Sequence, residues 1–232
     1  ATHAMPSLTL VIDAAVAIKC FGVATSYLIV IGDLMPDVMQ QFGASDVAQD
    51  RHLWVFLGFS VVAPLCLLRN LDSLKFTSIM SICFVFFLMM LVVLYSGDVS
   101  GLDPCAAVDD GDVCKGSTIN GKVDIHTFQV LSIFVFGYTC QQNVFAVTNE
   151  MERPTQSRVD TVIALSIGTA FFVYMIVAGA GYSTYGDEVE SDILVNYPEN
   201  YLTSIARLFV SFLVAFSYPL QCHPSRRSIL SL

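Results

Sequence analysis

Six long apolar stretches constrain this chain more than any other feature. They lie near residues 9–34, 52–69, 74–95, 127–149, 160–182 and 203–222, and each is close to the ~20 residues that a helix needs to cross a hydrocarbon core of about 30 Å. A stretch that is apolar on every side does not suit a surface helix of a water-soluble domain, which keeps a polar face. The stretches also lack the alternation of an outer-membrane barrel. In lipid a backbone must satisfy its own hydrogen bonds, so the expected fold is all-α and integral to the membrane, with six transmembrane helices. Composition agrees: 55% of the residues are hydrophobic and 13% charged, and mean hydropathy is +0.66. The net charge of −9 and the lack of a Lys/Arg cluster exclude a nucleic-acid partner. No signal peptide is recognisable. The chain opens on Ala1 and stops on Leu232 just after an apolar stretch, so it is expected to be a piece of a longer protein, with residues 1–232 forming a partial transmembrane domain.

Charge separates the connections into two sets. Arg69 and Lys75, Arg153 and Arg158, and Arg226 and Arg227 fall in short basic connections. The alternate set carries Asp33, Asp37, Asp46 and Asp50, then Asp98 to Asp124, then Asp187 to Glu199. The positive-inside rule makes the basic set cytosolic, with both chain ends on that side. Only residues 70–73 separate the second and third stretches, which makes those helices antiparallel neighbours.

Cys105 and Cys114 lie outside the apolar stretches, in the long non-cytosolic connection 96–126. That compartment permits disulfides. A Cys105–Cys114 bridge and two free thiols are the alternatives. Cys20, Cys66, Cys83, Cys140 and Cys222 read as small buried hydrophobes. Lys19 inside the first stretch must be paired, in water, or snorkelling toward headgroups. Arg207 at the outer end of the last reads as an interfacial anchor.

Three apolar stretches carry polar patches. The fourth holds Gly137, Tyr138, Thr139, Cys140, Gln141, Gln142 and Asn143 near its middle. Such a run faces a cavity or a neighbouring helix, and a Gly inside a span is where a helix can break and expose backbone to a ligand. The alternative is a kinked helix whose amides bond to other helices. In the first stretch Thr25, Ser26 and Tyr27 sit about halfway across. Ser26 and Tyr27 are candidates to line a polar path, or the patch is a small-residue helix contact with hydroxyls bonded to their own backbone. In the last stretch Ser217 precedes Pro219, which frees a carbonyl. Hydroxyl and carbonyl oxygens together suit a small hard cation, or the proline only kinks the helix. No nucleophile–base–acid set appears, no H-E-x-x-H motif is present, and His3, His52, His126 and His223 are dispersed, so neither an enzyme nor a metal site is expected.

Four ordered segments carry a family resemblance: GVATSYLIVIGDLMP, LCLLRNLDSLKFTS, FVFGYTCQQNVFAVTNEMERPT and SYPLQCHPSRRS. They resemble the third helix, the fourth-to-fifth turn, the sixth helix and the eighth helix of the amino acid/auxin permease family, nearest to its fungal vacuolar amino-acid transporters and their sodium-coupled neutral amino-acid relatives. The resemblance implies helices three to eight of an eleven-helix fold with a LeuT-type five-plus-five inverted repeat. It further implies that Gly137, Tyr138, Thr139, Cys140 and Asn143 are the sixth-helix half of a substrate site. Ser217 would be the eighth-helix hydroxyl that helps hold a cation in sodium-coupled members. Many members carry His after the Cys, whereas this chain has Gln141, which does not titrate.

The function so implied is secondary active transport of amino acids, small and neutral or otherwise, with H+ or Na+ as the coupling ion and no other cofactor. Protons are favoured. The alternatives are an amino-acid-sensing transceptor and a truncated chain without transport. The lipid bilayer is the expected partner, and the vacuolar or lysosomal membrane the expected location, with the plasma membrane as the alternative.

Overall fold

The structure is a computed structural model that describes residues 6–67, 75–97, 101–106, 114–119, 121, 125–139, 141–190 and 192–231. Among these, every regular element is helical: α1 (Pro6–Gln41), α2 (Arg51–Leu67), α3 (Lys75–Ser96), α4 (Ile125–Gly137), α5 (Gln141–Glu150), α6 (Gln156–Tyr185), α7 (Ile193–Asn196) and α8 (Tyr201–Ser231), with short 3-10 turns at Asp46–Gln49 and Gly186–Glu188. Leu10–Gln41, Phe76–Ser96, Gln156–Glu188 and Tyr201–Leu230 are long and apolar enough to cross a membrane, and Arg51–Cys66 is a shorter apolar helix. The stretch expected as a fourth span is two helices instead of one, α4 ending at Gly137 and α5 starting at Gln141. Arg69 and the connection 70–73 lie outside the described residues.

The chain divides into two compact units, Ala1–Phe86 with Asn200–Leu232, and Phe87–Glu199. In the first unit α1 packs chiefly on α8, and α2 packs on both. Cys20, Val23, Ala24, Ile31, Leu34, Met35 and Val38 are buried at three- and four-residue steps, which is the stripe one helix presents to a neighbour. On α8 the buried residues Thr203, Ser204, Ala206 and Ser211 are small, and small side chains let helix backbones approach closely in lipid. Gly32 does the same between α1 and α2: a Cβ there would lie 2.6 Å from Val55 Cγ2. Asn200 caps α8, its Oδ1 accepting from the Thr203 N–H at 2.9 Å. Phe84 of α3 stacks on Phe209 with ring centroids 4.5 Å apart.

Arg207 corrects the expectation of an interfacial anchor. It is buried on α8, and its Nη1 lies 3.1 Å from Asp37 Oδ2 of α1. A guanidinium taken out of water needs a counter-charge, and the seven-residue advance into α8 brings it level with the end of α1. The pair Arg51–Asp33, 2.6 Å apart, is about half exposed on both sides and contributes ~0–1 kcal/mol.

In the second unit α6 is buried only near its end, at Gly181, Thr184 and Tyr185. There Tyr95, Tyr185 and Tyr197 form a cluster, each 2% exposed or less. Tyr95 stacks on Tyr197 at 4.3 Å, and Tyr185 lies 5.8 Å from Tyr197. Cys105 and Cys114 are joined by a disulfide with Cα atoms 5.8 Å apart. Residues 116–119 then dock on the end of α6: Gly116 N–H donates to Tyr185 O at 2.8 Å, and Ile119 N–H to the Tyr182 hydroxyl at 2.9 Å. Gly186 makes this approach feasible. Its φ is +62, a region glycine enters freely, and a Cβ there would sit 2.7 Å from Gly116 O.

Candidate functional site

The polar run in the fourth apolar stretch sits where the helix stops. Tyr138 N–H still reaches Phe134 O at 3.1 Å, but Thr139 N–H turns to Phe136 O at 3.1 Å, a tighter three-residue step. The Val135 carbonyl is met instead by the Thr139 hydroxyl, which donates to it at 2.6 Å. The same side-chain bond occurs inside unbroken helices, at Thr25 and at Thr148, so the break is marked by the backbone step rather than by the hydroxyl. Cys140 lies outside the described residues.

Restarting at Gln141, α5 has a first turn whose leading N–H groups lack partners within the helix. Gly137 is exposed, and a Cβ there would meet nothing within 4 Å. Tyr138 is half-buried, its ring edge-on to Tyr174 of α6 at 5.6 Å. Asn143 is half-buried on α5 and opens a cavity of about 150 Å³ between α5 and α6, walled by Val144, Val147, Val162 and Ile163. Thr148 and Ser166 also line it, and neither stood out in the sequence. The Thr148 hydroxyl donates to Val144 O at 2.8 Å.

Gly137, Tyr138 and Thr139 thus lie at the end of α4 and Asn143 in the first turn of α5. The other candidates belong to the first unit. Ser26 is exposed on α1 and its hydroxyl donates to Gly22 O at 3.0 Å, while Thr25 donates to Phe21 O at 3.0 Å. Tyr27 is half-buried. Ser217, half-buried on α8, donates to Leu213 O at 2.8 Å, which leaves its oxygen lone pairs to accept. Pro219 and Pro224 lie inside α8 without ending it.

Among residues 125–149 there is no Asp, Glu, Lys or Arg. The interruption therefore offers dipoles, hydroxyls and amides and no full charge from those residue types, an arrangement suited to a ligand that carries both charges itself. Long apolar helices, one apolar stretch broken at hydroxyl and amide residues, and exposed apolar faces define a multi-helix membrane protein. The family described as transmembrane amino acid transporter protein matches residues 2–232, and the chain belongs to it. It is 38% identical to vacuolar amino acid transporter 5 of Schizosaccharomyces pombe, over 99% of this chain and 53% of that protein. It is 35% identical to vacuolar amino acid transporter 5 of Saccharomyces cerevisiae, over 98% of this chain and 51% of that protein. Identity to vacuolar amino acid transporter 6 of the same yeast is 35%, over 97% of this chain and 49% of that protein. The chain spans about half the length of these curated relatives. No solved structure matches it.

Proposed function

We propose that this chain is part of a secondary active transporter that moves amino acids across the vacuolar membrane, driven by a proton gradient. The observation that carries the reading is the interruption between α4 and α5. Helix N-termini attract carboxylates through their free N–H groups, and α5 offers such an end beside the Tyr138 and Thr139 hydroxyls and the Asn143 amide. An amino-acid zwitterion matches this set, because each of its charges meets a dipole and no fixed carboxylate or amine repels either one. Cys140 joins Gly137, Tyr138, Thr139 and Asn143 as a backbone and thiol contributor, and Ser26 and Tyr27 line a polar path on α1. The names of the relatives support the substrate class and the vacuolar location.

In this reading α4 and α5 are two halves of one crossing and α2 is a full crossing, giving six crossings that correspond to helices three to eight of a LeuT-type repeat. The basic connections then face the cytosol, as do both ends of the chain. Ser217 is the hydroxyl that a sodium site would use. The test is uptake by vesicles carrying the full-length parent, with a pH gradient or a sodium gradient imposed alone. Uptake should follow the pH gradient, persist without sodium and change little with Ser217→Ala. Uptake that needs sodium, ignores the pH gradient and loses sodium sensitivity in Ser217→Ala would replace protons with sodium; no amino-acid uptake under either gradient would overturn the transport reading.

A further inference from the structure

Joined by the short connection 151–155, α5 and α6 run back antiparallel: at the far end Tyr138, shortly before α5, meets Tyr174 of α6 edge-on at 5.6 Å. The connection is pinned by Arg158, whose Nη1 donates to Glu152 O at 3.2 Å. Held at both ends, the two helices leave between them the cavity of about 150 Å³. We propose, resting on the transport reading above, that this cavity is the side-chain pocket of the substrate site and selects amino acids with an aliphatic or benzyl side chain over those with a charged one.

Asn143 connects the cavity to the polar break. It stands in the first turn of α5, beside the N–H groups proposed to meet the substrate carboxylate, and it also lines the cavity. A zwitterion seated at that helix end therefore has its side chain at the cavity mouth. From Asn143 the wall follows α5 through Val147 to Met151, about 12 Å along the helix, and faces Val162 and Ile163 of α6. Thr148 adds little polarity, since its hydroxyl already donates to Val144 O at 2.8 Å. Val147 and Val162 are exposed, which leaves the cavity open along one side for entry.

Charge and size select the occupant. None of the residues lining the cavity is Asp, Glu, Lys, Arg or His. A carboxylate or ammonium group carried there from water would meet no counter-charge, and burying a charge unpaired is costly. An aliphatic group gains instead, binding roughly fourfold tighter for each CH2 taken out of water. An apolar cavity of comparable volume stays dry and takes up benzene, so the space suits the side chains of leucine, isoleucine, methionine and phenylalanine. Glycine and alanine would leave most of it unfilled.

The test measures uptake of labelled alanine, valine, leucine, methionine, phenylalanine, glutamate and lysine, each alone, by vesicles carrying the full-length parent with pH and sodium gradients both imposed. Half-saturating concentrations should fall roughly fourfold for each carbon added from alanine to leucine, and glutamate and lysine should be the poorest substrates. Val147→Phe, which fills the cavity, should reduce the leucine-to-alanine affinity ratio about tenfold. Val147→Ala, which widens it, should favour phenylalanine over leucine relative to the wild type. Both variants are read as ratios, which lower expression does not alter. Glutamate or lysine taken up in preference to leucine, or ratios unchanged in both variants, overturns the pocket while leaving the transport reading standing. No uptake of any of these amino acids overturns both.

Discussion

The paired helices α1 and α8 and the divided pair α4 and α5 are both drawn from long apolar sequence, and they use it in opposite ways. The 31 residues of α8 continue through two prolines, although each proline removes a backbone bond. By contrast, α4 stops after 13 residues with no proline in it. Breaker residues alone therefore do not decide where a helix ends in a nonpolar setting. In α8 the Ser217 hydroxyl meets the Leu213 carbonyl and the helix runs on, whereas at the end of α4 the Thr139 hydroxyl meets the Val135 carbonyl and the Thr139 N–H shifts to Phe136 O. Hydrophobicity places both pairs in the same medium, and the backbone step at Thr139 N–H separates them.

The largest expected effect breaks the comparison by making the divided pair resemble the continuous one. Gly137→Leu in the full-length parent replaces a poor helix former with a good one, a change of about 0.8–1.0 kcal/mol toward helix. Open space around Gly137 means that the new side chain does not unfold the unit. Insertion and expression should be normal and amino-acid uptake abolished, as read by vesicle transport beside quantified protein. Normal uptake by this variant would show that the interruption is structural only.

A middle-sized effect tests the continuous pair. Asp37 is 43% exposed, while Arg207 is buried. Asp37→Asn leaves a buried guanidinium without that carboxylate, and after discounting for solvent at Asp37 it should lower stability by roughly 1–3 kcal/mol. Arg207→Met removes the buried charge and leaves a carboxylate that water already reaches, so it should cost less. Heating the detergent-solubilised parent and measuring the monodisperse fraction gives the order; Arg207→Met as the more damaging change would mean that packing of the arginine stem outweighs its charge.

The helical class was legible because apolar runs of bilayer length leave the backbone few alternatives, and the bounds of α3 and α6 follow the hydropathy closely. The position of the interruption was legible too, in the glycine and hydroxyl run from Gly137 to Thr139. Its geometry was not, since the diversion of Thr139 N–H to Phe136 O depends on which donor reaches a carbonyl first. Arg207 was misread because a single sequence does not show that Asp37, 170 residues earlier, lies across the helix contact. The same limit hid the tyrosine cluster, in which Tyr95 lies far along the chain from Tyr185 and Tyr197. Residues 116–119 dock on α6 because Gly116 and Gly186 permit contact between backbones.

The smallest expected effect asks whether ring packing or hydrogen bonding sustains the tyrosine cluster of the second unit. Among the described residues the buried Tyr197 hydroxyl has no hydrogen-bond partner, whereas the Tyr185 hydroxyl lies 3.2 Å from Asn196 O and 3.3 Å from Pro104 O, to which it donates. If ring packing dominates, Tyr197→Phe should be neutral or stabilising by up to about 1 kcal/mol, because it removes a polar atom that folding strips of water. Tyr185→Phe should cost about 1 kcal/mol, because it strands a carbonyl. Burial, with Tyr185 and Tyr95 close by, also holds the Tyr197 phenol above its ordinary range. The folded state then keeps a proton that the unfolded state gives up near pH 10, so this contribution is fully present below about pH 10 and is lost as pH rises beyond it. Hydrogen exchange of residues 114–119 in the full-length parent reads both effects. Docking should weaken less steeply above pH 10 in Tyr197→Phe than in the wild type, and faster exchange at neutral pH in Tyr197→Phe than in Tyr185→Phe would show that the Tyr197 hydroxyl is bonded after all.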